Sequence, residues 1–245
     1  MVRLAAVSAL ALALSLAVSA PQSAAAAHDD AVIQVIAVSV KPGKLEKYRK
    51  KVKKLVGIQE RLGTTGTLRM WQATVGGPDT GTVLVAIEYP SSAAWAADSA
   101  KVQADPEWRK IISRLDRIRT LEGSAVWRDV SPNPVTAPAP GSGGVLAITG
   151  VQVRPGKLRS YLKRVDGARK ILERLGLESQ VRLWHAELAG PNTGNVAVGI
   201  EYVDLAAYVA EQGKLSKDRE WRRFISGLDD IRTLGGRWLY QEITP

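Results

Sequence analysis

An arginine, a tryptophan and a glutamate recur in this chain at a constant offset of 113 residues. The two sets are Arg69, Trp71 and Glu88, and Arg182, Trp184 and Glu201. A guanidinium group can hold an anionic or enolate oxygen through two parallel hydrogen bonds, because it is planar and stays charged. An indole can stack on a flat ring, and a carboxylate can orient the arginine. Both sets are therefore candidate ligand-binding residues.

The same residues also fit a purely structural role. An arginine and a glutamate that are buried together neutralise each other, and buried charges need partners for stability alone. The tryptophans would then be ordinary core residues. The two interpretations differ in whether a cavity lies beside these side chains, so the elements that carry them have to be located first.

The offset reflects the duplication of a whole domain. Residues 32–132 match residues 145–245 without a gap. The segment Val-Lys-Pro-Gly-Lys-Leu at 40–45 returns as Val-Arg-Pro-Gly-Lys-Leu at 153–158. Solenoid repeats are only about 20–50 residues long. The longer period therefore indicates two copies of a complete domain.

Each repeat predicts the order strand, helix, strand, strand, two helices, strand. Apolar residues at spacings of three and four indicate the long helix, and runs rich in Val and Ile indicate the strands. The segment Gly-Pro-Asp-Thr-Gly at 77–81 predicts a hairpin connection. In the first repeat the predicted strands are 32–40, 67–75, 82–89 and 124–130, and the predicted helices are 44–62, 91–103 and one that begins at Pro106. Ser91 or Ser92 and Asp105 are the predicted capping residues of the two later helices.

The period-two alternation of strands predicts which side chains share a face. Leu68 and Met70 form an apolar row that we expect to pack on the helices. Arg69 and Trp71 then face the opposite side of the sheet, and so does Glu88 on the next strand. Because these two strands form a hairpin, an arginine and a glutamate on one face can be close. The second repeat predicts the same arrangement.

The β-α-β-β-α-β order is the ferredoxin-like plan, in which an antiparallel sheet is covered by helices on one face. The Val-Lys-Pro-Gly-Lys-Leu-x-x-Tyr opening and the tryptophan-rich second half of each repeat resemble the dimeric α/β-barrel superfamily, in particular its antibiotic-biosynthesis-monooxygenase-like and NIPSNAP-like members. Members of that superfamily pair two sheets into a barrel. The resemblance therefore implies an α+β chain in which two ferredoxin-like modules form an intramolecular dimeric α/β barrel.

The segments outside the repeats predict export and a linker. Residues 1–27 combine Arg3, an apolar stretch and small residues before a cleavage site, which is typical of a signal peptide. The apolar stretch is about 15 residues long, shorter than the roughly 20 that a transmembrane helix needs. We therefore expect a secreted or periplasmic protein without stable membrane insertion after cleavage. Residues 133–144 are rich in Pro and Gly and predict a linker between modules 28–132 and 145–245.

Composition excludes several kinds of site. The chain has no cysteine, so disulfides, thiolate metal sites and a cysteine nucleophile are impossible. The chain has a net charge of +10, and its basic residues recur at helical spacing, which indicates solvated helix faces. No nucleic-acid-binding motif accompanies them. Metal-ligand spacings, phosphate loops and dinucleotide fingerprints are absent, so no metal or cofactor is expected. Haem-degrading relatives in the superfamily use an asparagine, a tryptophan and a histidine. Neither repeat has a first-strand asparagine or a repeated histidine.

Three functions remain open at this point. The first is an exported, monomeric pseudo-dimer that binds a small aromatic or anionic molecule without a redox cofactor. The second, implied by the resemblance, is a cofactor-independent monooxygenase acting on an aromatic or polyketide-like substrate. In that case the arginines would stabilise a substrate oxyanion and the tryptophans would position its ring. The third is a structural envelope protein whose interior is packed solid.

Overall fold

The computed structural model describes residues 30–132, 139–177 and 179–245. The predicted signal peptide at 1–27 lies outside the described residues, as do residues 133–138 of the predicted linker. The described part contains eight strands: β1 (Val32–Val40), β2 (Thr67–Val75), β3 (Val83–Tyr89), β4 (Arg119–Asp129), β5 (Val145–Val153), β6 (Gln180–Leu188), β7 (Val196–Tyr202) and β8 (Arg232–Glu242). Its six helices are α1 (Leu45–Arg61), α2 (Ser92–Ala104), α3 (Pro106–Leu115), α4 (Leu158–Arg174), α5 (Leu205–Lys217) and α6 (Arg219–Ser226).

The element order of the first repeat agrees with the prediction, and β1 and β2 have the predicted ends. The closing strand β4 begins at Arg119 rather than at residue 124. Its early part pairs with the end of β1, where Val40 lies opposite Arg119, and a bulge between Ala37 and Val38 shifts the register. A bulge breaks the period-two pattern on which the sequence prediction depends, so the first residues of this strand were missed.

Helices α2 and α3 begin where the sequence supplies capping side chains. The Ser91 hydroxyl accepts a hydrogen bond from the Ala94 backbone N–H at 3.1 Å at the start of α2. The Asp105 carboxylate accepts one from the Trp108 N–H at 2.8 Å at the start of α3. Such caps satisfy backbone donors that have no partner within the helix. The capping role predicted for these positions is confirmed.

The eight strands form one closed antiparallel barrel in the order β1-β3-β2-β8-β5-β7-β6-β4. Two seams join the repeats: β2 pairs with β8, and β4 pairs with β6. The order repeats after four strands, so an approximate twofold rotation about the barrel axis relates the two repeats. Because the sheet closes on itself, each of these eight strands has a neighbour on both sides.

The helices lie outside the barrel, and each repeat has its own core between helices and strands. In the first repeat Tyr48 of α1 and Leu115 of α3 are fully buried against the sheet. Tyr161 and Leu228 take the equivalent places in the second repeat. A separate apolar cluster, built around Trp71, fills part of the barrel interior. None of the helices in the described ranges is long and apolar enough to cross a bilayer.

We expect the two repeats to unfold in one transition, because each seam joins a strand of one repeat to a strand of the other. Leu115→Ala and Leu228→Ala should each lower the free energy of unfolding by about 2–5 kcal/mol, through lost burial and an unfilled cavity. Differential scanning calorimetry should show a single peak that moves down in both variants. Two peaks, of which each variant shifts only one, would contradict this coupling.

Candidate functional site

The barrel encloses a cavity of about 760 Å³. This volume lies within the roughly 300–1,000 Å³ that is usual for small-molecule pockets. All the site residues predicted from the sequence line it: Arg69, Trp71, Glu88, Arg182, Trp184 and Glu201. The alternation argument also placed the opposite row correctly, since Leu68 and Met70 pack in the core between sheet and helices.

Each arginine pairs with the glutamate of the other repeat, not with that of its own hairpin. Arg69 donates from both terminal nitrogens to the Glu201 carboxylate, with Nη1 3.0 Å from Oε2. Arg182 donates to the Glu88 oxygens at 2.9 and 3.0 Å. In the β2–β3 ladder Ala86, and not Glu88, lies opposite Arg69. The long arginine side chains therefore reach across the barrel, and the pairing expected within one hairpin does not form.

A second carboxylate binds each guanidinium, and sequence reasoning missed both. Arg69 Nε donates to Glu242 Oε1 at 3.1 Å, and Arg182 Nη2 donates to Asp129 Oδ2 at 3.1 Å. Both acids have side chains that are less than a tenth exposed. Asp129 and Glu242 occupy equivalent positions near the ends of β4 and β8. An acidic residue kept at the same place in both repeats was the available signal.

Glu242 also ties down the segment that precedes β5. Its carboxylate accepts hydrogen bonds from the Gly141 N–H at 2.9 Å, the Ser142 hydroxyl at 2.9 Å and the Gly143 N–H at 3.1 Å. Burial alone would raise the pKa of Glu242, but hydrogen bonds from Arg69, Thr244 and Gly141 outweigh it and lower the pKa to about 2. This carboxylate is therefore ionised throughout the neutral range.

Both guanidinium groups lie over an indole of their own strand. The Arg69 Cζ is 4.4 Å from the centre of the Trp71 ring, and the Arg182 Cζ is 5.0 Å from that of Trp184. Burial alone would lower the pKa of Arg69, but its hydrogen bonds to Glu201 and Glu242 raise it above the ordinary value. The arginines are thus charged groups held by carboxylates and by ring faces, an arrangement that cation–π attraction stabilises.

The charged residues lie together at one end of the barrel, which we call the floor: Arg69, Arg182, Glu88, Glu201, Asp129 and Glu242. From Arg69 the β2 strand runs to the opposite end, where the hairpin turns Gly77–Asp79 and Gly190–Asn192 lie. Exposed residues of this end also line the cavity. We call them the mouth: Ser39, Pro78, Asp79, Glu122, Gln152, Pro191 and Asn192. The cavity is therefore accessible to solvent at the mouth.

The two halves of the cavity differ in their aromatic residues. Trp238 of β8 lines the cavity, whereas the equivalent position in β4 is Ala125. The Trp238 Nε1 donates to Asp79 Oδ2 at 2.8 Å. A methyl group at Gly236 or Gly76 would lie 2.6 or 2.7 Å from the Trp238 ring. Glycine at these positions thus lets the indole lie flat across the seam between β8 and β2.

No family model and no curated protein matches this sequence. Solved structures do match in fold. A provisionally named monooxygenase from Fusobacterium nucleatum has 14% identity and a TM-score of 0.58, covering 88% of this chain and 92% of that chain. An anthrone oxidase-like protein has 14% identity and a TM-score of 0.59, covering 89% and 93%. A haem-binding protein from Thermus thermophilus has 10% identity and a TM-score of 0.54, covering 87% and 91%.

These similarities show that the chain shares the ferredoxin-like α+β barrel fold of such proteins. At this level of identity they show nothing more about the site. The narrower resemblance to antibiotic-biosynthesis-monooxygenase-like and NIPSNAP-like members stays a prediction.

The cavity does not fit a haem group. Haem iron is held by His, Cys, Met or Tyr side chains, and of these only Tyr240 is among the lining residues of the described ranges. Burial and the nearby Asp79 carboxylate raise the pKa of Tyr240 well above its ordinary value, which disfavours a phenolate ligand. Met70 is buried in the core between sheet and helices. No group of three or more metal-ligating side chains occurs in the described residues.

We expect Glu242 to make the stability of the protein depend on pH under acidic conditions. A carboxyl group whose pKa is lower in the folded than in the unfolded state stabilises the fold above the unfolded pKa and loses this effect as the pH falls. For Glu242 this window runs from about pH 4.5 down to about 2. Glu242→Gln should therefore destabilise the fold by about 1–3 kcal/mol at pH 7, and the difference should shrink as the pH approaches 2. Urea unfolding at a series of pH values measures it.

The matched control is Glu60→Gln, at an exposed position on the outer side of α1. This variant should follow the wild-type pH profile. If Glu242→Gln also keeps the wild-type profile, the carboxylate of Glu242 does not have the role assigned to it.

Proposed function

We propose that this protein binds a single flat aromatic small molecule inside its barrel. One observation carries the proposal: a cavity of about 760 Å³, entered through the mouth, is lined by a group of aromatic rings. The rings belong to Trp71, Trp127, Trp184, Trp238 and Tyr240. Aromatic faces attract a planar ligand by stacking, and the polar groups around them fix its orientation.

The position of the arginines disfavours the oxyanion-binding role considered for them. Arg69 and Arg182 each donate to two protein carboxylates. A ligand anion would have to displace one of those carboxylates and leave it unpaired in the interior. Breaking such a buried pair costs about 3–5 kcal/mol. We therefore assign these arginines to holding the floor and the aromatic part of the cavity to the ligand.

The cavity also argues against a purely structural protein with a solidly packed interior. A protein that served only as a scaffold would gain stability by filling its interior, since an empty apolar volume costs free energy. Instead the second repeat carries Ala197 at the lining position where the first carries the larger Leu84. This difference leaves volume unfilled beside Ala197.

A cofactor-independent monooxygenase is the second candidate, favoured by the monooxygenase and anthrone oxidase-like names among the structural neighbours. Such an enzyme would have to remove a proton from a phenolic substrate. No histidine lines the cavity in the described part of the chain, and the floor carboxylates are engaged by arginines. Binding without chemistry is therefore the function that the site supports best.

The proposal also includes the number of chains that form the barrel and the compartment in which the protein works. We infer that one polypeptide supplies both halves of the binding barrel, as the seams β2–β8 and β4–β6 indicate. A second copy is then not needed to complete the site. We also propose that the protein works outside the cytoplasm, on the basis of the signal-like sequence at 1–27.

Binding can be tested with planar aromatic probes and a variant that fills the cavity. Equilibrium dialysis of naphthalene- and quinoline-sized compounds should show saturable binding to one site per chain. Ala197→Trp places an indole in the cavity and should weaken binding by at least about tenfold, while Ala210→Trp, at an exposed position on α5, should not. Equal binding by both variants, or no saturable binding of any probe, would overturn the proposal.

The monooxygenase candidate is tested by measuring oxygen uptake. Purified protein should consume no oxygen above the uncatalysed rate when mixed with a panel of hydroquinones and anthrones, because no histidine lines the cavity among the described residues and the floor carboxylates are engaged by arginines. Oxygen uptake that Ala197→Trp abolishes and Ala210→Trp preserves would instead establish the enzyme.

A further inference from the structure

The cavity and its floor carry a charge opposite to that of the whole chain. The chain has a formal net charge of +10. The only basic side chains that line the cavity in the described ranges are Arg69 and Arg182. Against these two guanidinium groups stand six carboxylates, of which four line the cavity and two lie just behind it: Asp79, Glu88, Glu122 and Glu201, and Asp129 and Glu242.

The two arginines of the floor are already paired with carboxylates of the protein. Arg69 and Arg182 are each held between two carboxylates, so the four acids of the floor exceed the two arginines by two formal charges. The lowered pKa of Glu242 keeps that carboxylate ionised at neutral pH. A ligand that lies against the floor therefore meets an excess of negative charge at short range in a partly desolvated space, where electrostatic interactions are stronger than in water.

The aromatic rings of the cavity also favour a cationic ligand. An indole face attracts a cation within about 6 Å, more strongly when the pair is desolvated. Two of the lining indoles already hold a cation from the protein, namely the guanidinium groups over Trp71 and Trp184. Among the described residues no protein cation lies over Trp127, Trp238 or Tyr240, which also line the cavity. Their faces are left for a ligand.

The mouth adds two carboxylates that only the first repeat supplies. Asp79 lies in the β2–β3 hairpin turn and Glu122 lies in β4, and both line the cavity. The equivalent positions in the second repeat are Asn192 and Gly235. Asp79 lies beside the seam of β2 with β8, whereas Glu122 lies on β4, which β1 and β3 separate from β2 around the barrel. A positively charged molecule would therefore be attracted from both sides of the mouth.

We propose that the ligand of this barrel is a planar organic cation, such as an N-alkylated heteroaromatic ring or an arylalkylammonium ion. The proposal rests on the aromatic-binding function proposed above and adds the sign of the charge. The ring stacks among Trp127, Trp238 and Tyr240, and its positive charge faces the carboxylates of the floor and the mouth. The charge of the cavity excludes a carboxylate or phosphate ester of the same shape.

Three probes of nearly equal shape and different charge test this directly. Equilibrium dialysis is carried out with 1-methylquinolinium, 1-methylnaphthalene and 1-naphthoate on the processed wild-type protein at low ionic strength. The cation should bind at least about tenfold more tightly than the anion, with the neutral probe between them, and added salt should reduce the difference. If all three bind with equal affinity, aromatic binding stands and the charge preference is wrong. If none binds, the proposed function itself fails.

The mouth carboxylates give the matched variants. Asp79→Asn reproduces the residue of the second repeat, and Glu122→Gln removes the charge at nearly constant shape. Each should weaken binding of 1-methylquinolinium by about three- to tenfold and leave 1-methylnaphthalene within about twofold. Glu60→Gln on the outside of α1 removes the same charge from the chain and should change neither affinity. Equal weakening of the cation by Glu60→Gln would assign the effect to net charge and overturn the proposal.

Discussion

The crossed pairing of two arginines with carboxylates of the opposite repeat is the interaction on which the barrel depends. Arg69 is bound by Glu201 and Glu242, and Arg182 by Glu88 and Asp129. Every one of these bonds joins one repeat to the other. Buried charges are costly without partners, so neither half can bury its arginine unless the other half is in place. The same contacts lie at one end of the barrel, and exposed residues line the cavity at the other end.

Strand alternation was enough to predict which side chains face the interior. Arg69, Trp71 and Glu88 fall on one face because β2 and β3 are regular, and the matching offset carried the prediction to the second repeat. Alternation could not predict the partners of the arginines. Those depend on how the strands of the two repeats are ordered around the barrel, and such long-range pairing leaves no periodic signal in the sequence. Asp129 meets Arg182 only across the seam of β4 with β6, so its one mark in the sequence is that an acidic residue, Glu242, stands at the same place in the second repeat.

Joining the two modules in one chain allowed them to become different. In an assembly of two identical subunits, an indole at the position of Trp238 would appear twice across the axis and would occupy both sides of the cavity. Here the opposite position is Ala125, and Asp79 has the counterpart Asn192. The glycines that accommodate the Trp238 ring belong to the neighbourhood of one seam only. The two repeats thus share a symmetric frame, and the residues that differ between them make the cavity asymmetric.

The position of β8 in the strand order also governs when the barrel can form during protein synthesis. β2 is made early, yet its neighbour β8 is the last strand of the barrel to leave the ribosome. Until then the backbone donors and acceptors along one side of β2 lack their partner strand. The barrel therefore cannot close before β8 has been made, and the nascent chain carries an open sheet edge until then.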